Sequence, residues 1–140
     1  MYNINDLATM TGLSTRTLRN YLKVGVLDGE KIDGVWQFSE EDLGKLFQNP
    51  AVAPSIQAKR SALVFDFLAD RKKRTNQMCV VLDLAADDEE AQGVSDFFCQ
   101  AVNDCSAGVQ FAFEKIGQNV RVILTGQEEC VQEIIKKYYD

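Results

Sequence analysis

Hydrophobic positions in the first 47 residues recur at helical spacing in three short stretches, and turn signals separate them. Leu7, Ala8 and Met10 predict a first helix over about 5–10, with Asn5 as its N-cap. Thr11-Gly12-Leu13 predicts a tight turn, because glycine suits a left-handed helix C-terminus and Leu13 can plug the core between helices. Ser14 then caps a second helix from Thr15 to about Lys23, its hydroxyl offered to a backbone N–H near Thr17. Leu18, Leu22 and Tyr21 fall on one side of that helix, and Arg16, Arg19, Asn20 and Lys23 crowd the other at i, i+3, i+4 and i+7. Gly25-Val26-Leu27 ends it and returns to the core. Residues 28–38 read as a β-hairpin, with Asp33-Gly34 between Lys31-Ile32 and Val35-Trp36-Gln37-Phe38. Ser39-Glu40-Glu41-Asp42 opens a third helix, whose buried edge is Leu43, Leu46 and Phe47.

Both prolines, Pro50 and Pro54, lie in the segment that follows and mark a break. A helix is predicted from about Ser55 to Arg74, with Ile56, Leu63, Val64, Phe67 and Leu68 as an apolar stripe. Arg71-Lys72-Lys73-Arg74 suits the negative end of its dipole, and the same run is a second candidate for touching a nucleic-acid backbone. The period then changes. Met78–Leu84 reads as a strand, about 89–105 as a helix, Val109–Glu114 and Val120–Leu124 as two strands joined at Gly117-Gln118-Asn119, and Gln127–Tyr139 as a final helix. The expected class is α+β: a winged helix-turn-helix, a connecting helix, and a βαββα unit like a ferredoxin-like fold without its last strand. The expected domains are residues 1–49, 50–75 and 76–140. In that topology the third strand inserts between the first two and leaves Met78–Leu84 as an apolar, unprotected edge, open to pairing across a two-fold axis.

Charge sharpens the division. Residues 1–75 hold 11 Lys and Arg against 9 Asp and Glu, and residues 76–140 hold 4 against 12. The first part can approach phosphate, whereas the second is repelled by it. The chain has no histidine, the commonest general base and metal ligand. Cys79, Cys99, Cys105 and Cys130 include no C-x-x-C pair, so buried thiols are expected rather than a zinc site or disulfides. Asp83, Asp87, Asp88, Glu89 and Glu90 could hold Mg²⁺ or Ca²⁺, but an acidic helix start explains most of them. No phosphate loop, nucleophile elbow or paired acid–base motif occurs, so no catalytic residues, cofactor or metal are expected. No apolar run reaches the roughly 20 residues of a membrane span, and the start lacks a signal-peptide pattern. A cytoplasmic protein with no membrane partner is the expectation.

Helix-turn-helix, hairpin and helix is a winged-helix order. Ile4, Leu7-Ala8, Thr11-Gly12-Leu13-Ser14, Arg16-Thr17-Leu18-Arg19, Tyr21, Gly25-Val26-Leu27, Gly34, Phe38 and Ser39-Glu40-Glu41-Asp42-Leu43 carry a resemblance to the N-terminal domain of the MerR family and to excisionase-type winged helices. That resemblance implies a second helix in the major groove of double-stranded DNA and a wing on the flanking backbone, with Arg16, Arg19 and Tyr21 as contacts. Ser14, Thr15, Asn20, Lys23 and Gln37 complete the candidate DNA-binding set. The chain departs from the family in two places. It has Asn20-Tyr21 where a tyrosine pair is usual, and Val35-Trp36-Gln37-Phe38 where an arginine is usual.

The function implied is a DNA-binding transcriptional regulator, a homodimer addressing two half-sites about one helical turn (~34 Å) apart. Its acidic unit would dimerise or sense a small-molecule effector. Two alternatives stand beside it: a protein-interaction adaptor whose winged helix no longer binds DNA productively, and an excisionase-like architectural binder.

Overall fold

A computed structural model describes all 140 residues. The elements run α1 (Ile4–Thr11), α2 (Thr15–Lys23), β1 (Glu30–Ile32), β2 (Val35–Gln37), α3 (Glu40–Gln48), α4 (Ala53–Ala69), β3 (Gln77–Ala85), α5 (Asp88–Asp104), β4 (Gln110–Ile116), β5 (Asn119–Gln127) and α6 (Glu128–Tyr139). The architecture is α+β. The chain divides into two compact units, Met1–Lys59 and Arg60–Asp140, with the boundary inside α4.

In the first unit, α1 begins earlier than its apolar spacing predicts. Asn3, not Asn5, is the N-cap: its side chain accepts the Asp6 N–H at 2.8 Å, and Asp6 returns the bond to the Asn3 N–H at 3.0 Å. This reciprocal capping box satisfies two end donors at once, which a lone cap at Asn5 would not do. Gly12 closes α1 at φ 77°, its N–H donating to the Ala8 carbonyl at 2.9 Å. The turn is stitched from inside by Thr11, whose hydroxyl donates to the Leu7 carbonyl (2.7 Å) and accepts the Leu13 N–H (3.1 Å). At 2% exposed, that hydroxyl is tolerated because both its bonds are made. The Asp33-Gly34 turn has positive φ at both residues (51° and 80°), as a two-residue hairpin loop needs. Tyr2 adds a short third rung to the wing, exchanging backbone bonds with Phe38 at 2.8 Å in both directions. Leu7, Leu18, Phe38, Leu46, Val52 and Ile56 are all at most 1% exposed and form the core.

α4 starts at Ala53 and stops at Ala69, short of the expected Arg74. The Lys73 ammonium folds back to the carbonyls of Phe67 and Asp70 and lies 4.2 Å from the Phe67 ring centroid. The cation therefore satisfies carbonyls orphaned at the helix end instead of extending the helix. The expected apolar stripe is not one buried face. Ile56 is buried, Leu63, Val64 and Phe67 are half-buried, and Leu68 is 68% exposed.

The second unit is a three-stranded antiparallel sheet in the order β3-β5-β4, so the third strand of the βαββα run does lie between the first two. Side chains along β5 alternate between the two faces of the sheet. Val120, Val122 and Leu124, each 0% exposed, pack with residues of α5 and α6 in a single core. Phe98 sits at its centre, fully buried, stacked on Phe111 (centroids 6.4 Å) and tilted against Tyr138 (4.9 Å). Asp87 caps α5 through a capping box with Glu90, and Asp88 pairs with Lys115 at 2.7 Å. Arg121 grips Asp83 bidentately, at 2.8 and 3.0 Å, across the β3–β5 pairing. No helix is long and apolar enough to cross a membrane.

Candidate nucleic-acid interface

α2 is fixed from its inner side and open on its outer one. Leu18 is fully buried, and the Ser14 hydroxyl accepts the Thr17 N–H at 3.1 Å to start the helix. At the far end the Val24 N–H donates to the Asn20 carbonyl, and the N–H groups of Val26 and Leu27 both reach the Tyr21 carbonyl. The helix is thus held by its caps and one anchor, leaving the outer side chains uncommitted. Arg16, Thr17, Arg19, Asn20 and Lys23 line one open concave surface. Arg16, Arg19, Asn20 and Lys23 are exposed, and none of the three cations has an acidic partner. Two guanidiniums, an amide and an ammonium on one stripe provide forked donors for phosphate or guanine and a donor–acceptor pair for adenine.

The other candidates lie around this set. Ser14 is exposed at the helix start, and Thr15 is half-buried beside it. Tyr21 is half-buried and lies outside the concave stripe. Gln37 is half-buried on β2, opposite Glu30. Thr17 belongs to the stripe although its spacing alone did not single it out. Its hydroxyl accepts the Ser14 hydroxyl proton at 2.9 Å, a bond that follows from the capping geometry.

The wing has a different character. Asp28, Glu30 and Asp33 are exposed, and Ile32 and Val35, directly opposite each other, are 43% and 53% exposed. Trp36 is half-buried, stacked near Phe38 (6.4 Å) with the Lys31 ammonium 5.8 Å from its centroid. Carboxylates at this position repel phosphate rather than hold it.

Other chemistry is sparse. No group of three or more His, Cys, Asp or Glu is placed to hold a metal ion. All four cysteines are free thiols. Only Cys99 is buried, and Cys79, Cys105 and Cys130 are half-buried rather than enclosed as expected. A hydrogen bond with Cys105, together with burial, raises the Cys130 thiol above its ordinary value, and burial raises Cys79. Both therefore stay protonated and weakly nucleophilic near neutral pH. A cleft of about 250 Å³ lies between the end of α4 and the sheet, lined among others by Asp66, Asp70, Lys73, Gln77, Gln110 and Thr125. It is smaller than the roughly 300–1,000 Å³ of typical ligand pockets.

A capped second helix after a glycine turn, followed by a hairpin and a third helix, defines a winged helix-turn-helix module. Residues 2–47 match the family model described as MerR HTH family regulatory protein, so the N-terminal third of the chain is a MerR-type helix-turn-helix domain. No curated protein and no solved structure matches the chain.

Proposed function

We propose that the protein is a DNA-binding transcriptional regulator acting in the cytoplasm, in which α2 enters the major groove and the second unit dimerises or senses an effector. The observation that carries this reading is the exposed stripe of Arg16, Arg19, Asn20 and Lys23 on a helix locked from behind by Leu18. The match of residues 2–47 to a family of regulatory proteins supports it. Ser14, Thr15, Tyr21 and Gln37 are secondary contacts in this proposal, around the stripe.

One observation favours a second reading. The acidic wing, with Ile32 and Val35 exposed at its tip, is suited to a protein partner, so the module could serve as an adaptor. A salt titration of binding to random duplex DNA separates the two. A regulator shows a steep fall of log affinity with log salt, and Arg16→Ala or Arg19→Ala lowers the slope by about one where that arginine meets a phosphate. Absence of binding at low salt assigns the module to the adaptor class.

A further inference from the structure

β3 ends its sheet, pairing with β5 alone. Two hydrogen bonds at the ends of that pairing fix which of its backbone groups are used: Glu128 N–H to the Asn76 carbonyl (2.9 Å) and Ala86 N–H to the Gln118 carbonyl (3.0 Å). Both continue the register that sets Gln77 against Gln127 and Ala85 against Asn119. In an antiparallel strand the N–H and C=O of one residue point the same way, and the direction alternates along the chain. Met78, Val80, Leu82 and Leu84 therefore bond to β5. Gln77, Cys79, Val81, Asp83 and Ala85 turn their N–H and C=O groups to the free edge.

Little blunts this edge, since its one charged side chain, Asp83, is held by Arg121. The strand contains no proline or lysine, and its register runs unbroken for nine residues, with no bulge. Its inward side chains are also incompletely covered. Met78, Val80, Leu82 and Leu84 pack on the core but stay half-buried, whereas Val120, Val122 and Leu124 on β5 are 0% exposed. On the opposite face Val81 is 48% exposed.

We propose that β3 pairs antiparallel with β3 of a second copy about a two-fold axis through Val81, joining two three-stranded sheets into one of six. The inference deepens the dimerising role given above to the second unit. This is the one register that gives every edge-facing residue of the strand a partner. All five edge-facing residues meet edge-facing residues: Val81 meets itself, Cys79 meets Asp83, and Gln77 meets Ala85. On the core face Met78 lies against Leu84 and Val80 against Leu82, so the apolar row runs on from one copy to the other. Asp83 is the only charged residue of β3 and is already gripped by Arg121, and here the two copies of it stay apart. An axis at Asp83 would set the carboxylates face to face and leave edge groups unpaired. A slip of one residue would set edge-facing residues opposite inward-bonding ones, whose groups are already spent on β5.

The test is sedimentation and backbone amide exchange on the full chain. Wild type is expected to be a dimer at tens of micromolar. Val81→Lys puts like charges opposite each other on the axis and weakens association at least about tenfold. Val81→Thr leaves association intact. Both variants keep their circular dichroism, because the Val81 side chain is 48% exposed and lies outside the core. In the wild-type dimer the amides of Cys79, Val81 and Asp83 are protected along with those of Val80 and Leu82, and on dilution only the odd-numbered set opens. That exchange measurement needs no variant to fold. A wild-type monomer at these concentrations, a dimer indifferent to Val81→Lys, or fast odd-numbered amides within the dimer overturns the proposal. DNA binding is read separately. Salt-dependent binding with fast odd-numbered amides sinks the seam and leaves the regulator reading standing, whereas protected odd-numbered amides without DNA binding do the reverse.

Discussion

The first unit offers a partner its side chains, and the second offers its backbone. On α2 the exposed groups are Arg16, Arg19, Asn20 and Lys23, and the backbone behind them is spent within the helix and at its caps, Ser14 and Val24. On β3 the side chains are mostly apolar and unremarkable in chemistry, and the available groups are alternate peptide units along a strand edge. The difference decides what each surface can select. Charged forks on a helix discriminate by pattern and respond to salt. A strand edge selects any strand of matching length and register, and little else. On the proposed reading, specificity for a target falls to the first unit, and assembly to the second.

Core truncations test whether the two units are as separate as this contrast requires. Phe98→Ala removes a ring that is 0% exposed and meets Phe97, Phe111 and Tyr138, and should cost the second unit about 3–5 kcal/mol. Leu18→Ala should cost the first unit about 2–5 kcal/mol. Urea titrations followed by Trp36 fluorescence report the first unit, and far-ultraviolet dichroism reports both. If Phe98→Ala shifts the Trp36 transition as far as Leu18→Ala does, the units unfold together and the contrast loses its basis.

Smaller changes sharpen it. Gly12→Ala forces a left-handed alanine at φ 77° and sets its Cβ 3.0 Å from that of Lys59, so a loss of about 1–2 kcal/mol is expected in the same titration. Ser14→Ala removes the cap of α2 and should cost about 1 kcal/mol, with DNA affinity falling while Arg16 and Arg19 remain. The smallest effect is expected at Asp83→Asn. The hydrogen bond from Arg121, with its charge, holds the Asp83 carboxyl below the usual carboxylate range. A folded value below the unfolded one means stabilisation fully present above the unfolded pKa and lost as pH falls through the depressed folded value. Wild type and Asp83→Asn should thus differ slightly at neutral pH and converge in acid, as thermal melts across pH will record.

Much of this was legible in local pattern. The limits of α2, the Asp33-Gly34 hairpin, the Ser39 cap and the β3-β5-β4 order all follow from spacing and turn chemistry, because each depends on residues a few positions apart or on a topology with few alternatives. The misplacements arose where a nearby partner outweighed the pattern. Asp6 drew the cap of α1 back to Asn3, and past Ala69 the chain turns on local partners, with the Asp70 carboxylate accepting the Lys72 N–H and the Lys73 ammonium turning back to the Phe67 and Asp70 carbonyls. The exposed stripe of Arg16, Arg19, Asn20 and Lys23 was readable, since its residues share one face of one helix; Thr17 flanks them on the same concave surface.

The sequence by itself determined the helix-turn-helix, the charge on its outer face, and the apolar strand that ends the second sheet. Only the tertiary structure decided which peptide groups of that strand are spent on β5 and which face outward. Side-chain type carries no mark of that choice. It is set by register, and register exists only once Asn76 has met Glu128 and Ala86 has met Gln118 across the sheet.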